Sequence, residues 1–306
     1  MPQFIDRHDA ASAFTADALA IVHAGDPALL DAEGVTFLQA WSDPTSGALY
    51  CLSEAPSIDA VRRVHEPAGA APDAIDPLTF EAPEILATAT TPDGSTLELR
   101  RIDDDYVIRA EGYDLMTSRS HGTEDSMLAL ALPAPPPGAR VLIGGLGMGY
   151  TLAATLAALD ASAHVVVAEL VPEIVEWNRG VLGPLARQPL DDVRVEVVVG
   201  DVAALIGAST ECFDAILLDV DNGPDTLTDE VNAALYAADG LRAAYRALRP
   251  GGALAVWSVG DDPNVALPVY EGFEARLRAA GFEASSHAVA AGNRGRTHVV
   301  VVGRRS

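Results

Sequence analysis

An apolar run, Val141 to Ile143, opens into glycines and then into a second apolar pattern with helical spacing, so Ala139 to Tyr150 reads as strand, tight loop and helix start. Gly145, Gly147 and Gly149 alternate as G-x-G-x-G; such a turn needs unusual backbone angles and lets a ligand approach the chain closely. This stretch commits the chain to an α/β nucleotide-binding sheet. A dinucleotide site prefers G-x-G-x-x-G, but the sixth position is Tyr150 counted from Gly145 and Leu152 counted from Gly147. The spacing favours S-adenosyl-L-methionine (SAM), a ligand without a pyrophosphate.

The downstream strands agree. HVVVAEL ends in Glu169, about twenty residues beyond the last glycine, where a carboxylate accepts protons from both ribose hydroxyls. A helix is predicted from Val171 to Val181. VRVEVVVGD then ends in Asp201, placed to meet an adenine amino group, and FDAILLDVDNGP carries Asp219 and Asp221 beyond its carboxyl end, where ligands bind in open α/β sheets. LRPGGALAVWS is a fifth strand. A helix around Gly272 to Ala280 and a hairpin of Ala284 to Val289 with His298 to Val302 close the sheet. The cofactor candidates are Gly145, Gly147, Gly149, Glu169, Asp201 and Asp219. Asp219 is also the first candidate for acid–base and orienting work on an acceptor, supported by Asp221, Glu124 and His121.

Upstream, Glu84 to Arg119 alternates apolar and polar residues in short runs broken by tight turns, which predicts a small antiparallel sheet beside the glycine loop. Thr123 is predicted to cap a helix over Glu124 to Leu132, gathering His121, Glu124 and Asp125 at its start. Residues 1–79 read as strand, a helix from Thr15 to Leu30, strands Val35 to Trp41 and Gly47 to Ser53, a helix from Ser57 to Val64, and a last strand near Thr79. This is a ferredoxin-like α+β plan that ends in a linker from Pro67 to Pro77. The expected organisation is therefore a ferredoxin-like domain (1–79), a small β region (80–120) and a Rossmann-like SAM-binding catalytic domain (121–306).

Charge narrows the function. The net charge of -24 opposes binding to a phosphate backbone, so nucleic acid is not an expected partner. All 20 basic residues other than histidine are arginine, which rules out Schiff-base and Walker-type lysine chemistry. No apolar run approaches the ~20 residues that cross a bilayer, and the N-terminus lacks the pattern of a signal peptide, so a cytoplasmic protein is expected. Cys51 and Cys212 read as reduced thiols.

MPQFIDRHD, GVTFLQAWSDPTSGALYCLSEAPS and AVRRVHEPAG together resemble the small DUF4242 family, some of whose members are described as nickel-binding. The resemblance implies a metal-associated, dimeric module, with His8, His23, Cys51 and His65 as candidate ligands for nickel or a similar ion. From about Glu84 onward the chain resembles the spermidine synthase family, through VVAELVPEIVEWNRG, VVVGDV, AILLDVDNGP and LRPGGALAVWS. That resemblance implies aminopropyl transfer from decarboxylated SAM to an amine. Because Asp219-Val220-Asp221-Asn222-Gly223-Pro224 stands in place of the family's D-S-S-D-P-type motif, a SAM-dependent methyltransferase acting on a small-molecule acceptor is the first expectation. Aminopropyl transfer is the alternative, and a non-catalytic metal- or SAM-binding sensor is the other.

Overall fold

The computed structural model describes residues 1–9, 27–42, 48–68, 71–78, 83–110, 112–220, 230–258, 268–290 and 297–306. The chain divides into two compact units, Met1–Ala82 and Pro83–Ser306. No helix among the described residues is long and apolar enough to cross a membrane.

In the first unit, strands β1 (Gln3–His8), β2 (Thr36–Ser42), β3 (Leu49–Glu54) and β4 (Ala74–Leu78) form an antiparallel sheet in the order β2-β3-β1-β4. With helices α1 (Pro27–Glu33) and α2 (Ile58–His65), this is the ferredoxin-like plan. Alternation along β1 turns Phe4, Asp6 and His8 inward and leaves Arg7 exposed. Phe4 packs with Val35, Ala55, Ala60, Val61 and Val64. Ser57 caps α2, its side chain accepting from the Ala60 N–H at 3.2 Å. Two expectations change here. The Pro67–Pro77 segment is not only a linker, because Ala74 to Leu78 pairs with β1 as the last strand. The Thr15–Leu30 helix lies mostly outside the described residues, and the described part runs on to Glu33.

The second unit contains two sheets. Strands β5 (Glu84–Thr90), β6 (Thr96–Ile102), β7 (Asp105–Ala110) and β8 (Tyr113–Thr117) form an antiparallel meander. The larger sheet holds β9 (Arg140–Gly144), β10 (His164–Glu169), β11 (Val195–Val199), β12 (Phe213–Leu218), β13 (Leu248–Ser258), β14 (Glu283–Ala290) and β15 (Thr297–Arg304), in the order β11-β10-β9-β12-β13-β15-β14. β9 to β13 pair in parallel, and β15 runs antiparallel to both β13 and β14. Val141 and Ile143 enter one apolar layer and Leu142 the other. A strand buried on both faces reads as an unbroken apolar run, which is why the Val141–Ile143 signal is so plain.

The order reverses between β10 and β12 on either side of β9. The carboxyl ends of β9 and β12 therefore meet at a topological switch point, where open α/β sheets leave a crevice for ligands. Helix α4 (Tyr150–Ala158) follows β9 through the glycine loop, α5 (Pro172–Arg179) follows β10, and α6 (Val202–Ala208) follows β11. The predicted single helix over Glu124 to Leu132 is instead a 3-10 turn, Glu124–Ser126, leading into the short α3 (Met127–Ala131). Thr123 does not cap it: no side-chain cap bond forms, and its hydroxyl hydrogen-bonds His298 Nδ1 at 2.9 Å.

Candidate functional site

The glycine loop is pinned from both neighbouring strands. Gly145 has a φ of +87°, and a Cβ there would lie 2.2 Å from the backbone oxygen of Asp219, so no other residue fits. Gly147, at φ +51°, leaves room for the Met116 sulfur, 2.8 Å from where a Cβ would stand. The β5–β8 sheet thus reaches the loop through β8. Asn178, on α5, donates from Nδ2 to the Gly147 carbonyl at 2.8 Å and to Ile174 O at 2.9 Å.

Glu169 ends β10 with its carboxylate buried. One oxygen accepts from the Leu146 N–H at 2.8 Å and the other from the Val171 N–H at 2.9 Å. Burial, the largest influence, raises its pKa although these backbone bonds oppose it. Glu169 therefore braces the loop, with the Leu170 and Gly147 backbone also favouring its charged form. Asp201 is exposed and caps α6, accepting from the Ala203 N–H at 2.7 Å through Oδ1. Asp221 and His23 lie outside the described residues.

Three of the four proposed catalytic residues come together. Asp219 follows β12 at the switch point; its backbone N–H donates to Gly144 O at 2.9 Å, and its Oδ2 accepts from the Thr151 hydroxyl at 2.7 Å. Glu124 is 6% exposed, and its Oε2 finds no hydrogen-bond partner among the described residues. Burial first, and then the charge of Asp219, push its pKa up to about 8. The His121 ring stacks on Tyr150 at 4.0 Å between centroids and its Nδ1 lies 3.1 Å from Asp125 Oδ2. Burial, then Glu124, Asp125 and Asp105, push the Tyr150 phenol up to about 12. Beside this group, Trp257 at the end of β13 meets the His298 ring edge-on at 4.9 Å. Thr151, Tyr150, Asn178 and the Thr123–His298 pair were not identified from sequence. Thr151 follows directly on the glycine loop, which is a usable signal; nothing local connects Thr123 to a histidine 175 residues away.

In the first unit, His8, Cys51 and His65 gather around a residue that sequence reasoning missed, Asp6. The ligand atoms of Asp6, His8 and Cys51 lie within 4.8 Å of one another, all buried. Asp6 Oδ2 is 3.0 Å from His8 Nε2 and 3.4 Å from His65 Nε2. His65 Nδ1–H donates to Val61 O at 2.7 Å, which leaves Nε2 turned toward Asp6. Burial works to raise the Asp6 carboxyl, but its contacts with His65 and His8 outweigh it and hold the group below the ordinary value. For His65, burial is outweighed by Asp6 and the pKa is raised. Burial and the Asp6 charge both push the Cys51 thiol upward. The strand period makes Asp6 legible in hindsight, since positions 6 and 8 of one strand share a face.

Residues 123–291 match the family described as spermine/spermidine synthase domain. The chain belongs to this family. Residues 4–78 match the family described as nickel responsive protein SCO4226-like, as the N-terminal motifs led us to expect. A polyamine aminopropyltransferase of Nitrosomonas europaea is 34% identical over 133 residues, 43% of this chain and 36% of that protein. Another, from Saccharolobus islandicus, is 28% identical over 143 residues, 47% of this chain and 45% of that protein. The chain thus spans less than half the length of these curated relatives. A spermidine synthase structure from Thermotoga maritima shares the fold at a TM-score of 0.59 and 20% identity, covering 72% of this chain and 73% of that one. A spermidine synthase in complex with the transition state analogue AdoDATO does so at 0.58 and 18%, covering 72% of each chain. These findings correct the expectation of methyl transfer. The relatives are aminopropyltransferases, so an altered D-S-S-D-P segment is a weaker guide than the synthase domain that surrounds it.

Proposed function

We propose that the second unit transfers an aminopropyl group from decarboxylated SAM to an amine acceptor. The observation that carries this reading is Asp219, held at the switch point by the Thr151 hydroxyl, with a charge that helps to push the buried Glu124 carboxyl upward. An acidic corner beside the Tyr150 and Trp257 rings suits a cationic amine. In the donor, the positive sulfur already makes the adjoining carbon electrophilic, so the protein has to align the amine and remove its proton. Asp219 accepts a proton from the ammonium; the freed lone pair forms the N–C bond, and the C–S bond breaks with its electrons passing to sulfur. The products are the extended amine, methylthioadenosine and one proton. Glu169 and the glycine loop hold the nucleoside part of the donor, with Asp201 at the adenine end.

The test is turnover of the full chain with decarboxylated SAM or SAM and a series of diamines. Methylthioadenosine and an aminopropylated amine are expected with decarboxylated SAM only, with kcat lost in Asp219→Asn. Absence of product with every amine would end this reading.

A separate observation supports a metal role for the first unit. The imidazole, thiol and carboxylate of His8, Cys51 and Asp6 are a donor set suited to nickel or a similar late first-row ion, and their buried convergence fits one. His65 supports the set through Asp6. Nickel titration of protein purified without a metal-affinity tag is expected to give saturable binding that Cys51→Ser weakens. Equal binding in that variant would remove Cys51 from the ligand set.

A further inference from the structure

Alternation along β15 turns His298, Val300, Val302 and Arg304 to one face of the large sheet. Val300 and Val302 lie in the same apolar layer as Met127, Leu128 and Ala131, so this face is the seat of α3. The two polar residues hold the segment on that seat by its ends. At its start, His298 Nδ1 and the Thr123 hydroxyl share a hydrogen bond of 2.9 Å. At its finish, the Arg304 guanidinium donates to the carbonyls of Leu130 and Ala131, each at 2.9 Å. Carbonyls in the last turn of a helix have no intrahelical N–H to meet them. A helix of five residues does not hold itself together in water, so the bonds and the apolar seat decide where residues 123–131 lie.

The His298 end is the one that meets the crevice. Thr123 is fully buried, so its hydroxyl needs a protein partner. The same imidazole meets Trp257, at the end of β13, edge-on at 4.9 Å. On the other side of Thr123, the His121 ring stacks at 4.0 Å on Tyr150, directly after the glycine loop. One ring therefore joins the end of β13 to the turn that carries His121 and Glu124. We propose that His298, acting through Thr123, is a positioning residue for the amine acceptor: it fixes the spacing between the Trp257 ring and the 121–126 turn. This deepens, and rests on, the reading of the site as an amine site. His298 takes no proton in the reaction and touches no reacting atom. The donor is held by the glycine loop and Glu169, which belong to β9 and β10, so loosening the latch disturbs the acceptor alone. Arg304 holds the far end of the segment and serves the fold.

The experiment is calorimetric titration of the full chain, saturated with methylthioadenosine, with 1,4-diaminobutane, beside the turnover assay and a thermal scan. Thr123→Val removes the hydroxyl at nearly constant size. It is expected to weaken diamine binding about tenfold and raise the diamine KM in step, with methylthioadenosine affinity unchanged. Thr123→Ser keeps the hydroxyl and is expected to bind the diamine like the native chain. His298→Phe keeps a ring against Trp257 without the bond, and carries the same comparison if Thr123→Val fails to fold. The double variant is expected to be no worse than either single one, because both remove one bond. Arg304→Lys keeps the charge and loses the two-pronged grip, so a lower melting temperature with native diamine affinity is expected. Native diamine affinity in His298→Phe, or an equal fall in methylthioadenosine affinity, would overturn the latch while leaving aminopropyl transfer standing. Weakened diamine binding in the variants, with no aminopropylated product even from the native chain, would uphold the latch and remove the transfer reaction. A native chain that binds no diamine would overturn both.

Discussion

Glu124 is a carboxyl buried in the fold, and its ionisation makes the cost of that burial measurable. In the folded chain it stays protonated up to about pH 8, against an ordinary glutamate value of 4.5. Between those values the unfolded chain binds fewer protons than the native one, so this residue's contribution falls as pH rises through that window and levels off above it. Glu124→Gln removes the ionisation without changing the shape. Relative to the native chain, its unfolding free energy is expected to rise by roughly 3–5 kcal/mol between pH 5 and pH 9, as read by urea denaturation. A difference that stays constant with pH would mean Glu124 ionises like an exposed glutamate. Glu169 tests the opposite case, a carboxylate that the native fold needs. Glu169→Ala deprives the Leu146 and Val171 N–H groups of their acceptors, and a loss of roughly 2–4 kcal/mol is expected. Loss of methylthioadenosine binding with little change in stability would show that Glu169 serves the ligand more than the loop. Acidic residues at strand ends were readable because their type and place coincide with chemistry. Thr151, Asn178 and Asp6 escaped notice because a threonine, an asparagine or a strand aspartate has many ordinary uses, and only the fold brings each to its partner.

At the scale of elements, the glycine loop and the turn out of β12 are one mechanical part. Gly145 meets the backbone oxygen of Asp219, so the turn out of β9 and the turn out of β12 fix each other's position. Gly145→Ala would need both a positive φ for alanine and a retreat of Asp219. It is expected to cost at least about 2 kcal/mol and to weaken methylthioadenosine binding through the displaced loop. An unchanged denaturation midpoint together with native affinity would show that the two turns move freely. The central parallel strands β9, β10 and β12 were legible because burial on both faces leaves an apolar run that no turn residue interrupts. Boundaries near Thr123 were not: the cap signal there is real chemistry, but a hydroxyl that finds His298 is lost to the helix. Residues 74–78 misled in another way. Ala, Asp and Pro in AIDPL look like linker composition, yet Pro77 and its neighbours lie on an edge strand, a place that tolerates proline because its outer N–H groups need no ladder partner.

The whole molecule is two units with separate cores, and they differ in how much apolar surface they can bury. The second unit has two extensive apolar layers, one on each face of its large sheet. The first has a small cluster around Phe4, Val61 and Val64, and fills other inward positions with Asp6, His8 and His65. A domain of this size is marginal when polar groups occupy its interior, unless a bound ion or a partner adds free energy. Nickel that binds only the folded first unit would stabilise that unit alone, by about 2.7 kcal/mol at a free concentration a hundred times its dissociation constant. Scanning calorimetry of the full chain is therefore expected to show two transitions, with nickel raising only one of them. Cys51→Ser should abolish most of that rise, whereas methylthioadenosine should raise only the other transition. A single transition moved by both ligands would mean that the units unfold together and that the free energy of one site is shared by the other. Two transitions with no response to nickel would leave the buried Asp6–His8–Cys51–His65 cluster as a purely internal polar network.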